Sequence, residues 1–313
     1  MMCDSLSYRI CDFVLASNIP LPELPGSGGG RQEYSFSLVH EPAPSFTSAH
    51  WFHQWPSSDG QAWLAFARMG SDYVLRFRDI ADFTVSADGC EIQCFPRPET
   101  RLDTIRHLLL DQVVPLALSS RGCLILHASA VVAPEGAIAF LGAAGQGKST
   151  LAASFSHHGF PFLTDDCLVL KEDGGRLVAI PSYPGLRLWP DSLLGVFEAL
   201  PELPQVASYS EKKRLEAHDR FPFQAEPVAI KRIYLLAESQ SDVSIDAVAP
   251  RDAIPELVKY VYVLDVENRD DFRDKFQKLS NLATLPLFYR IAFPRDFSLL
   301  PDVRRRILAH LDS

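Results

Sequence analysis

The sequence predicts an α/β protein in which a small β-rich N-terminal domain precedes a linking helix and a domain built around a phosphate-binding loop. Short segments that alternate polar and apolar residues fill the first third of the chain, whereas the remainder alternates apolar strands with helical periodicity. At residues 137–150 an apolar run, a glycine-rich loop and a run of good helix formers follow one another. The predicted bounds are 1–98 for the N-terminal domain, 99–122 for the linking helix and 123–313 for the α/β domain.

The composition is that of an ordinary globular protein. The chain has 313 residues, of which 47% are hydrophobic and 22% are charged, and its net charge is −9. This acidic balance, without a long basic run, argues against nucleic acid or an anionic membrane as a partner. No stretch approaches the roughly 20 apolar residues that span a bilayer, and the N-terminus lacks the pattern of a secretory signal. The sequence therefore predicts a cytoplasmic protein.

Strand predictions for the N-terminal domain rest on period-two alternation. A first strand is predicted over residues 6–16, followed by a loop rich in proline and glycine over 20–31. Further strands are predicted at 34–39, 62–68, 73–78, 83–86 and 91–95, the last two joined by a turn at Asp88-Gly89. Trp51, Trp55 and Trp63 could line a peptide groove or belong to the core. Aromatic residues of a β domain more often belong to the core, so a core position is expected for all three.

A helix is predicted from residue 100, where the apolar period changes from two to about 3.6. One helical face carries Leu102, Ile105, Leu109, Val113 and Leu116. Thr100 and Asp103 form a predicted capping box at its start. Pro115 is expected to kink or split the helix, and Gly122 is expected to end it.

Residues 142–149 match the pattern G-x-x-x-x-G-K-[ST] of a phosphate-binding loop. Glycines let the backbone wrap around an anion, so that amide N–H groups at a helix N-terminus point at polyphosphate. Lys148 is expected to contact the β- and γ-phosphates, and Ser149 to hold Mg²⁺. The alternative is a glycine-rich turn before a helix. The predicted nucleotide-binding residues are Gly142, Ala143, Ala144, Gly145, Gln146, Gly147, Lys148, Ser149 and Thr150.

An apolar strand that carries one histidine lies just before this loop. Residues 123–132 lead into a turn at 134–136 and then into the strand that enters the loop. If the two strands form a hairpin, counting across the turn places His127 opposite the neighbourhood of Gly142. A histidine in an apolar strand is usually a core residue, but this count brings it to the phosphates. Two roles remain open, namely orienting an acidic partner and contacting a phosphate.

An acidic pair follows the helix after the loop. That helix is expected to end at Gly159, and the next apolar stretch ends with Asp165-Asp166. A right-handed strand-helix-strand unit returns the second strand beside the first, which places the pair at the mouth of the loop. One carboxylate is expected to bind metal and the other to accept the proton of an attacking hydroxyl. Asp166 is assigned with Ser149 to the metal, and the identity of the base stays open. The alternative is an acidic turn.

Four cations downstream are candidate contacts for phosphate or substrate. Arg187 lies in a segment, 181–197, that is dense in proline and aromatic residues and is predicted to be irregular. It either contacts a ligand or only packs. Lys212, Lys213 and Arg214 form a basic cluster that is predicted to lie on a loop. These three are either solvated charges or cations brought to the transferring phosphoryl group.

Three motifs taken in order, L-H-A-S-A-V, G-A-A-G-Q-G-K-S-T and L-T-D-D, resemble the catalytic domain of the HPr serine kinase/phosphorylase family. The resemblance covers about residues 121–240. It implies a fold like that of phosphoenolpyruvate carboxykinase, with a helix-flanked mixed sheet, and the use of ATP and Mg²⁺. It also implies that one aspartate acts as general base toward a serine hydroxyl. The resemblance implies that the functional residues of this chain are His127, Lys148, Ser149, Asp165 and Asp166.

The chain also departs from the HPr kinases. Thr150 stands where those enzymes have an acidic residue, and their glycine-rich C-terminal signature is missing. The segment P-S-Y-P-G-L-R-L-W-P-D-S at 181–192 looks more like the homologues found with ribosomal-peptide biosynthesis, notably the lasso peptide kinases, which phosphorylate a C-terminal serine of a precursor peptide.

This closer resemblance implies an ATP-dependent serine kinase that acts on a peptide or small protein. Three alternatives remain, namely an HPr-type protein serine kinase/phosphorylase, a small-molecule kinase and an ATP-binding regulator without catalysis. Neither nucleic acid nor a membrane is expected as a partner. Six-fold assembly is common in the HPr kinases, so a homo-oligomer is left open.

Overall fold

The structure is a computed structural model that describes residues 6–41, 43–56, 60–197, 203–216 and 220–312. The chain is a mixed α/β protein with several sheets, as the sequence predicts. It divides into two compact units, one of Met1–Cys123 with Val263–Asp274 and one of Leu124–Tyr262 with Lys275–Ser313. The helix predicted as a link thus lies in the first unit, and residues 263–274 return to that unit.

The first unit contains one eight-stranded sheet. Its strands are β1 (Leu6–Ile10), β2 (Phe13–Ser17), β3 (Tyr34–Leu38), β4 (His50–Pro56), β5 (Ala62–Met69), β6 (Asp72–Phe77), β7 (Ala81–Val85) and β8 (Glu91–Pro96). They follow the order β1-β2-β3-β8-β7-β6-β5-β4. Strand β3 runs parallel to both β2 and β8, and the other neighbours are antiparallel.

This sheet differs from the sequence predictions at three points. Residues 6–16 are not one strand, because the chain reverses at Cys11, which has a φ of 52°, and β1 and β2 form a hairpin. Strand β4 was not predicted, since its sequence H-W-F-H-Q-W-P lacks a clear alternation of polar and apolar residues. Its Trp51 and Trp55 are exposed at the sheet edge, so the preference for a core position fails for both. Trp63, on β5, is half-buried.

The predicted helix after β8 is present but irregular. It runs as α1 (Leu102–Leu108), a π-helical segment (Leu109–Val113) and α2 (Val114–Ser120). The interruption expected from Pro115 therefore lies in the turn just before it. A proline cannot donate a helical hydrogen bond to the preceding turn, and one-turn π segments accommodate such a loss.

The predicted end of this helix is correct, but the predicted start is not. Gly122 has a φ of 82°, and its N–H donates to the carbonyl of Ser119, so it ends the helix. The predicted capping box is wrong, because the N-cap residue is Arg101 and makes no side-chain capping bond. Thr100 instead donates its hydroxyl to the carbonyl of Ile80, which ties the start of the helix to the turn between β6 and β7.

The second unit contains two sheets. Their strands are β9 (Leu124–Leu126), β10 (Ala128–Ala133), β11 (Gly136–Leu141), β12 (Phe162–Thr164), β13 (Leu168–Asp173), β14 (Arg176–Ile180), β15 (Gly185–Leu188), β16 (Gln205–Ala207), β17 (Ser210–Glu216), β18 (Val228–Leu236), β19 (Ser244–Ala247) and β20 (Phe288–Ala292). Nine strands share a sheet with the path β12-β10-β11-β18-β14-β13-β9, to which β20 adds on β18 and β19 adds on β20. The remaining three form a separate sheet in the order β15-β17-β16.

Strand directions in the larger sheet bring several loops to one edge. Strand β18 runs parallel to β11 and to β20. The sequence predicts that β12 lies beside β11, and this prediction is wrong. Strand β10 lies between them and pairs antiparallel with both. Strands β11 and β12 therefore still run in the same direction. The carboxyl ends of parallel strands are where α/β sheets bind ligands.

Helices cover both faces of this sheet. They are α3 (Lys148–His157), α4 (Pro190–Val196), α5 (Pro250–Tyr260), α6 (Arg269–Ala283) and α7 (Leu300–Leu311). Phe140 of β11 belongs to a buried cluster with residues of α3 and α7. The neighbouring Leu141 belongs to a second cluster with residues of α5 and α6, because successive side chains of a strand point to opposite faces. No helix within the described part of the chain is long and apolar enough to cross a bilayer.

Candidate functional site

The phosphate-loop sequence forms the strand-loop-helix unit that the motif predicts. Strand β11 leads into the loop, and α3 begins at Lys148. Gly145 and Gly147 have φ values of 79° and 91°, a region that residues with a Cβ rarely adopt. The side chain of Lys148 is buried, and its Nζ donates to the carbonyl of Gly142 at 2.8 Å. The loop is therefore curled back over its own lysine at the N-terminus of a helix.

The side chains of Gln146 and Thr150 also have partners inside the second unit. Gln146 Oε1 accepts a hydrogen bond of 2.7 Å from the N–H of Ala143, which closes the loop on itself. Ala144 is exposed at the loop tip. Thr150 Oγ1 lies 3.1 Å from Ser192 Oγ at the start of α4. Thr150 therefore ties α3 to α4, whereas Gln146 occupies an amide group that the prediction assigns to phosphate.

Asp165 is the aspartate that contacts the phosphate loop. Its Oδ1 accepts a hydrogen bond of 2.9 Å from Ser149 Oγ and another from Ser129 Oγ. The side chain is buried, and this burial together with the charge of Asp166 raises its pKa, while Arg187 opposes the rise. The sequence predicts Ser149 and Asp166 as the metal ligands. The structure instead places Asp165 beside Ser149.

Asp166 faces a different set of partners. Its Oδ1 lies 3.5 Å from His127 Nε2, and its Oδ2 lies 3.1 Å from Arg187 Nη2. The φ of Asp166 is 65°, in the left-handed region that a residue with a Cβ rarely adopts. Strained backbone of this kind clusters at functional sites. The two consecutive carboxylates therefore share Arg187, whereas the two serines contact Asp165 and His127 contacts Asp166.

The hairpin count that placed His127 near the loop is confirmed by the strand register. Ala128 pairs with Leu141, so His127 lies where the loop begins. Its Nδ1 lies 3.4 Å from the hydroxyl of Tyr262. Burial lowers the pKa of His127, and the charge of Asp166 acts in the opposite direction. Of the two roles that the sequence left open, the geometry favours orienting the acidic partner.

Arg187 is a fully buried cation that holds the acidic pair. Only 1% of it is exposed. Its backbone N–H donates to Asp165 Oδ2 at 3.2 Å, and its Nη2 donates to the carbonyl oxygen of Asp165 at 2.8 Å. A buried guanidinium needs such pairing, because an uncompensated buried charge is costly. The segment 181–197 is predicted to be irregular, but it contains the strand β15 and the helix α4.

The basic cluster lies in strand β17 and not on the predicted loop. Strand β17 pairs antiparallel with β15, with Arg187 opposite Arg214. Because side chains alternate along a strand, Lys212 and Arg214 share the face that carries Arg187, whereas Lys213 points to the other face. Lys212 Nζ accordingly lies 5.9 Å from the ring of Trp189, also on that face. The loop prediction failed because S-E-K-K-R-L-E has too few apolar residues to show a strand period.

Electrostatic coupling connects this strand to the phosphate loop. Burial lowers the pKa of Lys148, the two neighbouring aspartates oppose that change, and the charge of Lys212 adds to the lowering. Lys212 also acts against the raised pKa of Asp165. The cationic face of the small sheet is therefore close enough to affect both the loop lysine and the acidic pair.

Sequence reasoning missed two residues that contact the acidic pair. Ser129 lies on β10 two positions after His127, so the same count across the hairpin that located the histidine could also have located this serine. Tyr262 donates its hydroxyl to the carbonyl of Asp166 at 3.1 Å. It follows α5, almost 100 residues after the acidic pair, and no local pattern in the sequence indicates its role.

Arg295 lies beside the phosphate loop and was missed as well. A Cβ built on Gly147 would lie 3.4 Å from Arg295 Nη1. The guanidinium stacks on the ring of Phe293 at 4.3 Å, and its Nη2 donates to the carbonyl of Ala237 at 2.7 Å. Ala237 follows β18 and Phe293 follows β20, the two strands that run parallel beyond β11. The carboxyl ends of three parallel strands thus bring Arg295 to the loop.

The donor set at this edge suits Mg²⁺ bound with a polyphosphate. The described residues include no group of three or more His, Cys, Asp and Glu side chains placed to hold a metal ion. Mg²⁺ at nucleotide sites needs fewer protein ligands, because phosphate oxygens and water complete its coordination. The hydroxyl of Ser149 and the carboxylate of Asp165, 2.9 Å apart beside the glycine-rich loop, provide such a pair.

Comparison with known proteins gave matches among solved structures. No known protein family matches the sequence. No curated protein matches it either. Among solved structures, the chain is similar to the Hpr(Ser) kinase/phosphatase from Coxiella burnetii, with 13% sequence identity and a TM-score of 0.32. The matched region covers 60% of this chain and 92% of that chain.

Proposed function

We propose that this protein is an ATP- and Mg²⁺-dependent serine kinase that acts on a peptide or small protein. The observation that carries the proposal is the hydrogen bond between Ser149 in the phosphate loop and Asp165 in the acidic pair. In P-loop phosphotransferases a loop serine and an acidic residue share the magnesium ion. The finer assignment, to the C-terminal serine of a lasso-type precursor peptide, is supported by the sequence resemblance.

Nucleotide binding is assigned to the phosphate loop. Lys148 and the loop amides would hold the phosphates of ATP, and Ser149 with Asp165 would hold Mg²⁺. When bound, the ion supplies charge neutralisation at the transferring phosphoryl group. Lys148 is suited to its part because its Nζ is already directed into the loop by the carbonyl of Gly142. This assignment moves the metal from Asp166 to Asp165.

Asp166 is proposed as the general base. Its side chain is 15% exposed, whereas that of Asp165 is 0% exposed, so an acceptor hydroxyl can reach Asp166 more readily. The acceptor proton moves to the Asp166 carboxylate as the serine oxygen attacks the γ-phosphorus of ATP, and the bond from that phosphorus to the β–γ bridging oxygen breaks so that ADP leaves. His127 and Arg187 hold the two carboxylate oxygens, and the Tyr262 hydroxyl holds the carbonyl of the same residue.

The cationic face of the small sheet has two tasks in this proposal. Arg187 is buried and positions the acidic pair. Lys212 is half-buried and electrostatically coupled to Lys148, so it is the candidate for stabilising charge on the phosphoryl oxygens during transfer. Little covalent chemistry is needed for phosphoryl transfer, so such positioning and charge stabilisation would carry most of the rate.

The test is mass spectrometry of the purified protein with ATP, Mg²⁺ and a panel of acceptors. The panel contains HPr, a lasso-type precursor peptide that ends in serine, and the same peptide ending in alanine. We expect a gain of about 80 Da, one phosphoryl group, on the serine-ended peptide and none on the alanine version. A gain on HPr alone would favour the HPr-type activity. No gain on any acceptor, with ATP binding intact, would favour an ATP-binding regulator or a small-molecule kinase.

A further inference from the structure

Ser129 carries a buried hydroxyl on a strand face that is otherwise apolar. The residue is 0% exposed, and Val131 and Ala133, which follow it on the same face of β10, belong to the buried cluster that contains residues of α3. The intervening Ala130 belongs to the cluster on the other face of the sheet. A buried hydroxyl without a hydrogen bond is costly, so the partner of Ser129 indicates why a serine stands there.

The partner of this hydroxyl is the carboxylate of Asp165. Ser129 Oγ donates to Asp165 Oδ1 at 2.5 Å, which is shorter than the roughly 2.7–2.8 Å usual for O–H···O bonds. Bonds of this length are typical where a hydroxyl donates to an ionised carboxylate, and they are about twice as strong as bonds between neutral groups. An ionised carboxylate can only accept, so the hydrogen of Ser129 is committed to Asp165.

The strand that carries Ser129 lies between the two strands that lead into the site. Strand β10 pairs with β11, which enters the phosphate loop, and with β12, which ends just before the acidic pair. Ser129 lies opposite Phe140 in the first pairing, and its neighbour Ala130 lies opposite Thr164 in the second. Hydrogen bonds on both sides of β10 fix its backbone, so the Ser129 hydroxyl projects from a rigid element.

The other hydrogen bonds to the Asp165 carboxylate come from residues that have further roles. Its Oδ1 also accepts from Ser149 Oγ at 2.9 Å, and its Oδ2 accepts from the backbone N–H of Arg187 at 3.2 Å. Ser149 lies in the first turn of α3, directly after the glycine-rich loop, and is itself assigned to the metal. Of the two serines on Oδ1, Ser129 is therefore the one that is held by the sheet and has no other assigned role.

We propose that Ser129 is a positioning residue for the metal site, in which its hydroxyl holds the carboxylate of Asp165 toward Ser149. The proposal rests on the proposed function, which assigns Mg²⁺ to Ser149 and Asp165. Residues that orient a ligand without contacting the metal commonly govern metal affinity, and losing one costs about 10- to 100-fold. Within the described part of the chain, the hydroxyl of Ser129 bonds only to Asp165, so its loss should affect the metal and not the nucleotide phosphates.

Manganese binding by the full chain tests this role. Mn²⁺ is the probe in place of Mg²⁺, because the electron paramagnetic resonance signal of free Mn²⁺ falls when the ion is bound. The ion is titrated into an equimolar mixture of protein and the non-hydrolysable ATP analogue AMP-PNP, and a titration without protein gives the binding by nucleotide alone. We expect Ser129→Ala to raise the Kd for Mn²⁺ about ten-fold or more. The Kd for AMP-PNP, measured separately in EDTA, is expected to stay unchanged.

Three further variants separate the hydrogen bond of Ser129 from its packing. Ser129→Cys fills the same space but donates weakly, so it should bind Mn²⁺ nearly as poorly as Ser129→Ala does. Ser129→Thr keeps the hydroxyl and should bind Mn²⁺ as the wild type does. Ser156→Ala is the matched control, because it removes a buried hydroxyl of α3 that has no hydrogen bond to the acidic pair within the described residues, and it should leave the affinity unaltered.

Circular dichroism is recorded for every variant, and the comparison of Ser129→Ala with Ser129→Cys decides the outcome if the larger threonine prevents folding. Unchanged Mn²⁺ affinity in Ser129→Ala, or wild-type affinity in Ser129→Cys, would overturn the positioning role. An equal loss of AMP-PNP affinity in EDTA would also overturn it, because the loop as a whole would then be damaged. Failure of the proposed metal site looks different. Neither the wild type nor Asp165→Asn would then bind more Mn²⁺ than the nucleotide alone, and the role of Ser129 would fall with that site.

Discussion

Ser149 Oγ lies 2.9 Å from Asp165 Oδ1, a contact that joins the first turn of α3 to the residue that follows β12. The two residues are brought together although β10 separates β11 from β12 in the sheet. Because β11 and β12 both run antiparallel to β10, their carboxyl ends still meet at one edge. The loop at 142–149 and the acidic pair therefore lie together at this edge of the sheet.

Replacing Lys148 by alanine should abolish phosphoryl transfer. The Nζ of this lysine is directed into the loop, and removing it takes away the charge that would face the nucleotide phosphates. We expect transfer to fall about 100-fold or more, with a parallel loss of ATP affinity in a binding titration. Lys171→Ala, at an exposed position on β13, is the matched control. Transfer by Lys148→Ala within a few-fold of wild type would contradict the site.

The two aspartates should fail in different ways. Asp165→Asn, which changes the partner of Ser149, is expected to raise the Mg²⁺ concentration needed for half-maximal activity. Asp166→Asn is expected to lower kcat about 100- to 10,000-fold while leaving ATP affinity and the Mg²⁺ requirement close to normal. Steady-state kinetics at several Mg²⁺ concentrations separates these outcomes, with Asp173→Asn at an exposed strand end as control. The reverse pattern would exchange the two roles.

Replacing Arg295 by alanine should weaken nucleotide binding. Its guanidinium lies against Gly147 of the phosphate loop, and it is held there by Phe293 and the carbonyl of Ala237. We expect ATP affinity to fall about ten-fold, because one charge-assisted contact is lost. Arg251→Ala, whose side chain is 88% exposed in the wild type, controls for net charge.

The same variant tells which part of the nucleotide Arg295 contacts. An equal loss of affinity for ATP and for inorganic triphosphate would indicate a phosphate contact, and a loss for ATP alone would indicate the adenosine moiety. Unchanged affinity for both ligands would remove Arg295 from the site.

Removing the buried guanidinium should make stability depend on pH. Arg187→Gln leaves two carboxylates without their shared cation, and breaking a buried ion pair costs about 3–5 kcal/mol in the free energy of unfolding. Arg187 now opposes the raised pKa of Asp165, so its loss should raise that pKa further. A raised carboxyl pKa lowers stability above that pKa and restores it as the pH falls through it.

Urea unfolding at pH 7.5 and at pH 5 measures this effect. We expect the difference in unfolding free energy between wild type and Arg187→Gln to be smaller at pH 5, where the carboxyl is more fully protonated. Arg176→Gln, on an exposed position of β14, should show little difference at either pH. A difference that stays constant with pH would mean that Arg187 acts through packing and not through charge.

The sequence by itself determined the features that depend on neighbours along the chain. The loop at 142–149 and its flanking strand and helix follow from an apolar run, glycine spacing and helix propensity. The position of His127 followed from a count across a tight turn, because a short hairpin leaves little choice of register. Period-two alternation likewise located most strands of the first unit, although not β4, whose two tryptophans are exposed.

Tertiary structure alone decided which partners those features meet. Asp165, the first aspartate of the pair, is the one whose carboxylate accepts a hydrogen bond from Ser149, and the residue after it has a left-handed backbone. The polar segment around Lys212 becomes a strand because β15 supplies its hydrogen bonds, which no local pattern reports. Arg295 reaches the loop through the parallel pairing of β11, β18 and β20. These contacts join residues far apart in sequence, and local periodicity carries no information about which distant strands will pair.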